Sequence, residues 1–112
     1  MEAEGRPTTE AKVAEMIRRI AEGFQPDKII VFGSRATGSA GPDSDVDFLV
    51  VMQVEGSRRH QAVEIEMKLG GLGLSKDVIV VTPEEFEAYR DVVGSIAYPA
   101  AHEGRIVYER TA

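Results

Sequence analysis

The stretch VFGSRATGSAGPDSDVDFLVV, residues 31–51, joins two apolar runs through a segment rich in Gly, Ser and Asp. The first run, KIIVF at 28–32, predicts a short strand of β-branched residues that ends at Gly33. The second run, VDFLVVM at 46–52, is apolar at successive positions, as in a central strand that is covered on both faces. The connection at 33–44 is longer than a hairpin needs, and long connections are often functional.

Two further apolar runs, DVIVV at 77–81 and RIVYE at 105–109, predict two more strands. Helical spacing of apolar residues predicts a helix from Thr8 or Thr9 to near Gly23 and another between 57 and 73. These elements define an α/β (α+β) domain, with a single mixed β-sheet of about four strands and helices packed on it.

The segment after the third strand starts with TPEE at 82–85, which combines a capping Thr, Pro at the first helical position and Glu three residues after the cap. A helix should therefore begin there. Gly94 and Pro99 interrupt the segment that follows, which predicts a kink or two short helices.

The composition describes one acidic globular domain. The 112 residues include 13 Lys and Arg against 19 Asp and Glu, a formal net charge of −6, which argues against a sequence-independent binder of DNA or RNA. A nucleotide substrate stays compatible with this charge, because a metal ion can supply positive charge. Without cysteine the chain has no disulfide, zinc–thiolate site or catalytic thiol.

The ends of the chain carry no targeting or membrane signal. The N-terminus is polar and acidic with no signal-peptide pattern, and no run approaches the roughly 20 apolar residues of a membrane span. We predict a cytoplasmic protein with a disordered tail at 1–7 and one folded domain at 8–112.

Two carboxylates stand at the mouth of the second strand. Asp45 and Asp47 are two residues apart, so at strand period they point to one face, about 7 Å apart along the chain. Such a pair can share hard cations, and Mg²⁺ prefers these oxygen ligands. Taken alone, such a pair is more often an acidic turn in solvent.

Gly33 and Ser34 follow the first strand directly. Gly permits a positive φ and a close backbone approach, and Ser34 offers a hydroxyl and an N–H group to a phosphate. A Gly-Ser pair after a strand is also a routine turn. Three other motifs do not match the sequence. A phosphate-binding loop would need a lysine that is missing here, and an EF-hand would need a Gly and a Glu that are missing. A dinucleotide-binding motif would need its glycines between a strand and a helix, which is not the case here.

The joint pattern is more specific than its halves: a strand, Gly33-Ser34, ten residues, then Asp45-x-Asp47 on the neighbouring strand. This pattern resembles the nucleotidyltransferase superfamily of DNA polymerase beta, and in particular its minimal (MNT) branch. The resemblance extends over nearly the whole chain. The family has a third carboxylate on a later strand, which Asp77 matches; by itself, Asp77 is an ordinary aspartate at a strand start.

The resemblance implies a role for each matched residue. Asp45 and Asp47 would ligate Mg²⁺, with two ions expected, on the triphosphate of ATP. Asp77 would join the metal site and help to deprotonate the acceptor hydroxyl, so that the metals hold the attacking and leaving oxygens.

The same resemblance implies a phosphate site on the other side of the loop. Ser34 and the backbone of Gly33 would hold the terminal phosphates of the nucleotide. Arg35 is either a further phosphate contact or a surface charge.

Larger members of the superfamily carry a helical domain that binds the acceptor, and 112 residues leave no room for one. In the MNT family the partner is typically an all-helical HEPN ribonuclease toxin. The resemblance thus implies an antitoxin that transfers AMP from ATP to a toxin tyrosine.

Two alternatives stay open. One is a non-catalytic antitoxin that neutralises its partner by steric occlusion. The other is a nucleotidyltransferase for small molecules such as antibiotics, whose pocket an oligomer would complete.

Overall fold

The computed structural model describes residues 8–38, 41 and 45–111, and for Arg35 and Thr37 the backbone only. The predicted tail at 1–7 lies outside the described residues. The elements are, in chain order, α1 (Thr9–Phe24), β1 (Lys28–Phe32), α2 (Ser34–Thr37), β2 (Val46–Val51), α3 (Arg58–Lys68), β3 (Lys76–Val81), α4 (Pro83–Tyr89), α5 (Ala97–Glu103) and β4 (Arg105–Glu109).

The four strands form one sheet in the order β3-β2-β1-β4. Strand β1 pairs antiparallel with both β2 and β4, whereas β2 and β3 are parallel. The long crossover between the parallel strands contains α3, as a parallel connection requires. The single mixed four-stranded sheet of an α+β domain, predicted from the sequence, is confirmed.

Helices cover both faces of the sheet and divide the core in two. On one face α1 and α3 pack Met16, Ile20 and Ile65 against alternate residues of the strands, such as Phe48. On the other face α4 and α5 pack against the intervening residues, such as Leu49. Phe48 and Leu49 are both fully buried, so β2 is the central strand covered on both sides that its apolar run predicts.

Side-chain caps set the start of three helices. The Thr8 hydroxyl accepts a hydrogen bond from the N–H of Ala11, and Ser57 caps α3 in the same way. Thr82 and Glu85 form the reciprocal capping box that the sequence predicts for α4. These caps satisfy N–H groups that have no partner within the helix.

The predicted interruption after α4 is present, but only one of its two signals causes it. The chain forms two short helices, and Gly94, with φ of 95°, lies in the turn between them. Pro99 does not break a helix: it is the third residue of α5, where a helix does not need the missing N–H. No helix in the described part of the chain is long and apolar enough to cross a membrane.

Candidate active site

Asp47 and Asp77 are direct neighbours across the two parallel strands. They are register partners in the β2–β3 pairing, and adjacent strands lie about 4.8 Å apart. Both belong to the alternating set of residues that faces α4 and α5, in line with Leu49 and Ile79. The rows of buried apolar side chains on this face therefore end in two carboxylates, one half-buried and one exposed.

Asp45 directly precedes β2 and is exposed, on the same alternating face as Asp47. Burial raises the pKa of Asp47, and the negative charges of Asp77 and Asp45 raise this pKa further. Asp45 and Asp77 are therefore close enough to disfavour the ionised form of Asp47. A bound cation would relieve that repulsion.

The carboxylates have the donor chemistry of a magnesium site, since carboxylate oxygens are hard ligands. As they stand, no three acidic or histidine side chains of the described residues are grouped closely enough to hold a metal ion by themselves. At phosphate-transfer sites Mg²⁺ is usually held by protein carboxylates together with waters and substrate phosphates.

Gly33 lies against the carboxylate of Asp47. Phe32, the last residue of β1, is the register partner of Asp47, so the chain turns beside it. A Cβ added to Gly33 would stand 2.5 Å from Asp47 Oδ2. The backbone, with φ of 76° and ψ of −153°, also lies in a region that is essentially restricted to glycine. Position 33 thus requires glycine for two independent reasons.

Ser34 begins the single-turn helix α2 and is half-buried. The Gly33 carbonyl accepts a hydrogen bond from the N–H of Ala36, and the turn ends at Gly38 in the left-handed region. The chain therefore turns immediately after β1, and Ser34 follows the end of that strand where Phe32 is paired with Asp47. The side chain of Arg35 lies outside the described part, so its phosphate contact stays a prediction.

Substitution of Gly33 by alanine should destabilise the protein by about 1–3 kcal/mol, the usual cost of a backbone conformation that side chains avoid. The added methyl group should also displace the Asp47 carboxylate. Urea denaturation of Gly33→Ala measures the cost. Gly38→Ala is the matched control, because Gly38 also has a positive φ of 83° but no atom within 4 Å of the added Cβ. Equal losses in both variants would contradict the close contact with Asp47.

Sequence reasoning did not single out Glu66. Its carboxylate oxygen Oε2 accepts a hydrogen bond from the N–H of Val78, the residue after Asp77, at 3.3 Å. Glu66 is one of several charged residues on α3, and nothing in the sequence distinguishes it from its neighbours. Only the packing of α3 beside β3 brings it to the strand that carries Asp77.

A cavity of about 410 Å³ lies on the opposite face of the sheet. Its walls include Val13 and Ile17 of α1, and Val31 of β1 on the face that α1 covers. It is therefore separated by the sheet from the carboxylates, which open directly to the surface.

The fold thus brings paired carboxylates together beside the Gly33-Ser34 turn. Residues 13–104 match the family model of the nucleotidyltransferase domain. The chain belongs to this family.

Comparison with solved structures shows the same fold. A protein from Sulfolobus solfataricus, described as a candidate nucleotidyltransferase, superposes with a TM-score of 0.61 at 20% sequence identity, covering 95% of this chain and 92% of that one. A chain of a toxin–antitoxin structure with AMP-PNP covers 90% of this chain and 73% of its own length at 20% identity, but its TM-score of 0.46 is too low to establish a shared fold. Comparison with curated proteins gives no significant match.

Proposed function

We propose that the chain is a Mg²⁺-dependent nucleotidyltransferase that acts as an antitoxin by transferring AMP from ATP to a tyrosine hydroxyl of an all-helical HEPN-type toxin. The observation that carries the enzymatic part is the register pairing of Asp47 with Asp77 beside the Gly33-Ser34 turn. Membership of the nucleotidyltransferase domain family supports the reaction class. The toxin partner rests on the resemblance to the MNT branch.

The carboxylates and the turn have separate tasks in this reaction. Asp45 and Asp47 hold Mg²⁺, and Asp77 joins them from the neighbouring strand. Bound Mg²⁺ neutralises triphosphate charge and lowers the barrier for attack at phosphorus. Ser34 and the Gly33 backbone hold the terminal phosphates, so that the α-phosphorus is presented to the acceptor.

The transfer itself exchanges one bond for another. The acceptor oxygen forms a bond with the α-phosphorus, the bond between that phosphorus and the bridging oxygen breaks, and pyrophosphate leaves. Asp77 takes the proton of the acceptor hydroxyl. Its exposed position at the start of an edge strand leaves it accessible to a hydroxyl on another molecule.

An exposed apolar surface near the site supports a protein acceptor. Four apolar side chains are exposed at the end of α4 and in the turn that follows it: Tyr89, Val92, Val93 and Ile96. A groove of about 320 Å³ beside them is lined by Tyr89, Ile96 and Ile79, among other residues. Clustered exposed apolar residues are typical of protein contacts. Ile79 is two residues from Asp77 on the same strand face, so a protein in this groove would stand beside the carboxylates.

The same surface favours a second candidate function, a non-catalytic antitoxin that covers its partner. Occlusion does not need Asp47 and Asp77 to be held side by side at a cost in like-charge repulsion, which is why we favour transfer. Binding affinity cannot separate the two functions, since both require a complex. Turnover can.

The test is intact mass spectrometry of the toxin encoded beside this chain, after incubation with the chain, ATP and Mg²⁺. We expect the toxin to gain the mass of one or more AMP groups, and peptide mapping to place them on tyrosine. The Asp45→Asn, Asp47→Asn double variant is the control and should give no gain. If the toxin stays unmodified although it binds the chain tightly, the result would contradict transfer and support steric occlusion.

A further inference from the structure

Strand β3 carries Asp77 at an edge of the sheet, where half of its backbone groups have no neighbouring strand among the residues that the structure describes. The carbonyls of Ser75 and Val81 accept hydrogen bonds from the N–H groups of Val46 and Met52, at either end of β2. Backbone groups alternate between the two sides of a strand, so the carbonyl of Asp77 also points toward β2. The N–H of Val78, in the same planar peptide unit, points to the open edge.

Glu66 occupies that open edge at Val78. Its Oε2 atom accepts the Val78 N–H at 3.3 Å, in a half-buried position, across a separation of 12 residues. A carboxylate acceptor makes a stronger hydrogen bond than a neutral one. The peptide unit that joins Asp77 to Val78 is therefore held from both sides, by β2 and by Glu66.

Helix α3, which carries Glu66, is fixed in place by packing and hydrogen bonds. The preceding residue, Ile65, is fully buried, and Leu69 is 1% exposed, both in the core between α3 and the sheet. Arg19 of α1 donates hydrogen bonds to the carbonyls of Lys68 and Gly70 and so fastens the end of the same helix. A side chain on this helix can thus restrain β3 without a further strand.

We propose that Glu66 is a positioning residue, which holds Asp77 in register with Asp47 through the Val78 N–H. The catalytic role of Asp77 rests on the proposed function, whereas the restraint of β3 by Glu66 does not. Without the Glu66 acceptor, the first residues of β3 would rotate or fray, and the two carboxylates would no longer face one cation together. A glutamine at 66 keeps an oxygen acceptor and should preserve much of the restraint.

Amide hydrogen exchange tests the restraint without any catalysis. In Glu66→Ala, exchange at Val78 should accelerate by about tenfold, the effect of losing one hydrogen bond to a charged group. Glu66→Gln should stay within about threefold of the parent protein. The matched control is Glu64→Ala, which removes an exposed glutamate of the same helix whose side chain accepts from Gln61. If Glu66→Ala does not fold, Glu66→Asp shortens the side chain and serves in its place.

Titration with Mn²⁺ alone, followed by paramagnetic broadening at residues 46–48 and 76–78, tests the consequence at the site. Glu66→Ala should weaken Mn²⁺ binding about fivefold or more, as loss of groups that orient metal ligands does. Glu66→Gln and Glu64→Ala should bind nearly as the parent does. Unchanged Val78 exchange in Glu66→Ala would overturn the proposal, and so would faster exchange with unchanged Mn²⁺ affinity.

The transfer assay then separates this inference from the proposed function. If the parent protein modifies its partner, Glu66→Ala should lower kcat about tenfold with little change in the KM for ATP, and Glu66→Gln should restore it. If the parent modifies nothing, the proposed function fails, while the exchange and Mn²⁺ results still decide the role of Glu66.

Discussion

Replacing Asp77 by asparagine should abolish nucleotide transfer while leaving nucleotide binding nearly intact. Asp77 is the carboxylate that faces outward at the sheet edge, and its proposed task is to join the metal site and take the proton of the acceptor. Asparagine has nearly the same shape but cannot accept that proton. Loss of a general base typically costs about 10²- to 10⁴-fold in rate, so we expect a fall in kcat of that order.

Binding of ATP with Mg²⁺ should change by less than about threefold in Asp77→Asn, because Asp45, Asp47 and the Gly33-Ser34 turn still hold the triphosphate. Isothermal titration measures the binding and quenched-flow mass analysis measures the rate. Asp91→Asn is the matched control: it removes the same charge from a residue that is exposed and contacts His102. A loss of ATP affinity as large as the loss of rate would contradict a role of Asp77 in proton transfer. It would show that Asp77 contributes to nucleotide binding only.

Much of the fold follows from local signals in the sequence. Strand β2 is recognisable because a strand buried on both faces has few polar residues, and α4 is recognisable because Thr82, Pro83 and Glu85 carry a complete capping box. Pro99 misleads, because the effect of proline depends on its position in the helix, and that position is fixed by where α5 begins.

The residues of the candidate site likewise differ in how far local sequence signals predict them. Asp45, Asp47, Gly33 and Ser34 lie close together in the sequence, so strand period and turn chemistry suffice to associate them. Pairing of Asp47 with Asp77 depends on the parallel register of β2 and β3, which residue spacing alone does not fix. Glu66 is invisible to sequence reasoning, because its partner is a backbone N–H, and every residue except proline has one.

The repulsion among the carboxylates should also be measurable as a loss of stability. Because the pKa of Asp47 is raised in the folded protein, the folded state binds this proton more tightly than the unfolded chain does. The contribution of Asp47 to stability is therefore most favourable below its unfolded pKa of about 3.9 and decreases as the pH rises through its folded pKa. At neutral pH without metal, ionised Asp47 lowers the free energy of unfolding.

Asp47→Asn should therefore unfold at a higher temperature than the parent protein at pH 7 in EDTA. Water screens the exposed charges of Asp45 and Asp77, so the gain should be at most about 1 kcal/mol, or roughly 4 °C for a domain of this size. At pH 3.5 the Asp47 side chain of the parent protein is mostly neutral, as the asparagine of the variant is at any pH. The two melting temperatures should therefore converge. Carboxylates that do not interact with Asp47 are the same in both proteins, so their effect on stability cancels in the comparison.

Mg²⁺ with ATP should reverse the order of the two proteins. Binding to the folded state stabilises the parent by mass action, and the variant lacks one of the proposed ligands. Differential scanning fluorimetry from pH 3.5 to 7.5, with and without Mg²⁺ and ATP, gives all four curves. A difference between the proteins that is independent of pH would show that Asp47 acts through packing and not through charge. A pH-dependent gain that Mg²⁺ with ATP reverses would identify a site whose like charges destabilise the free protein. Binding of the cation would then neutralise these charges.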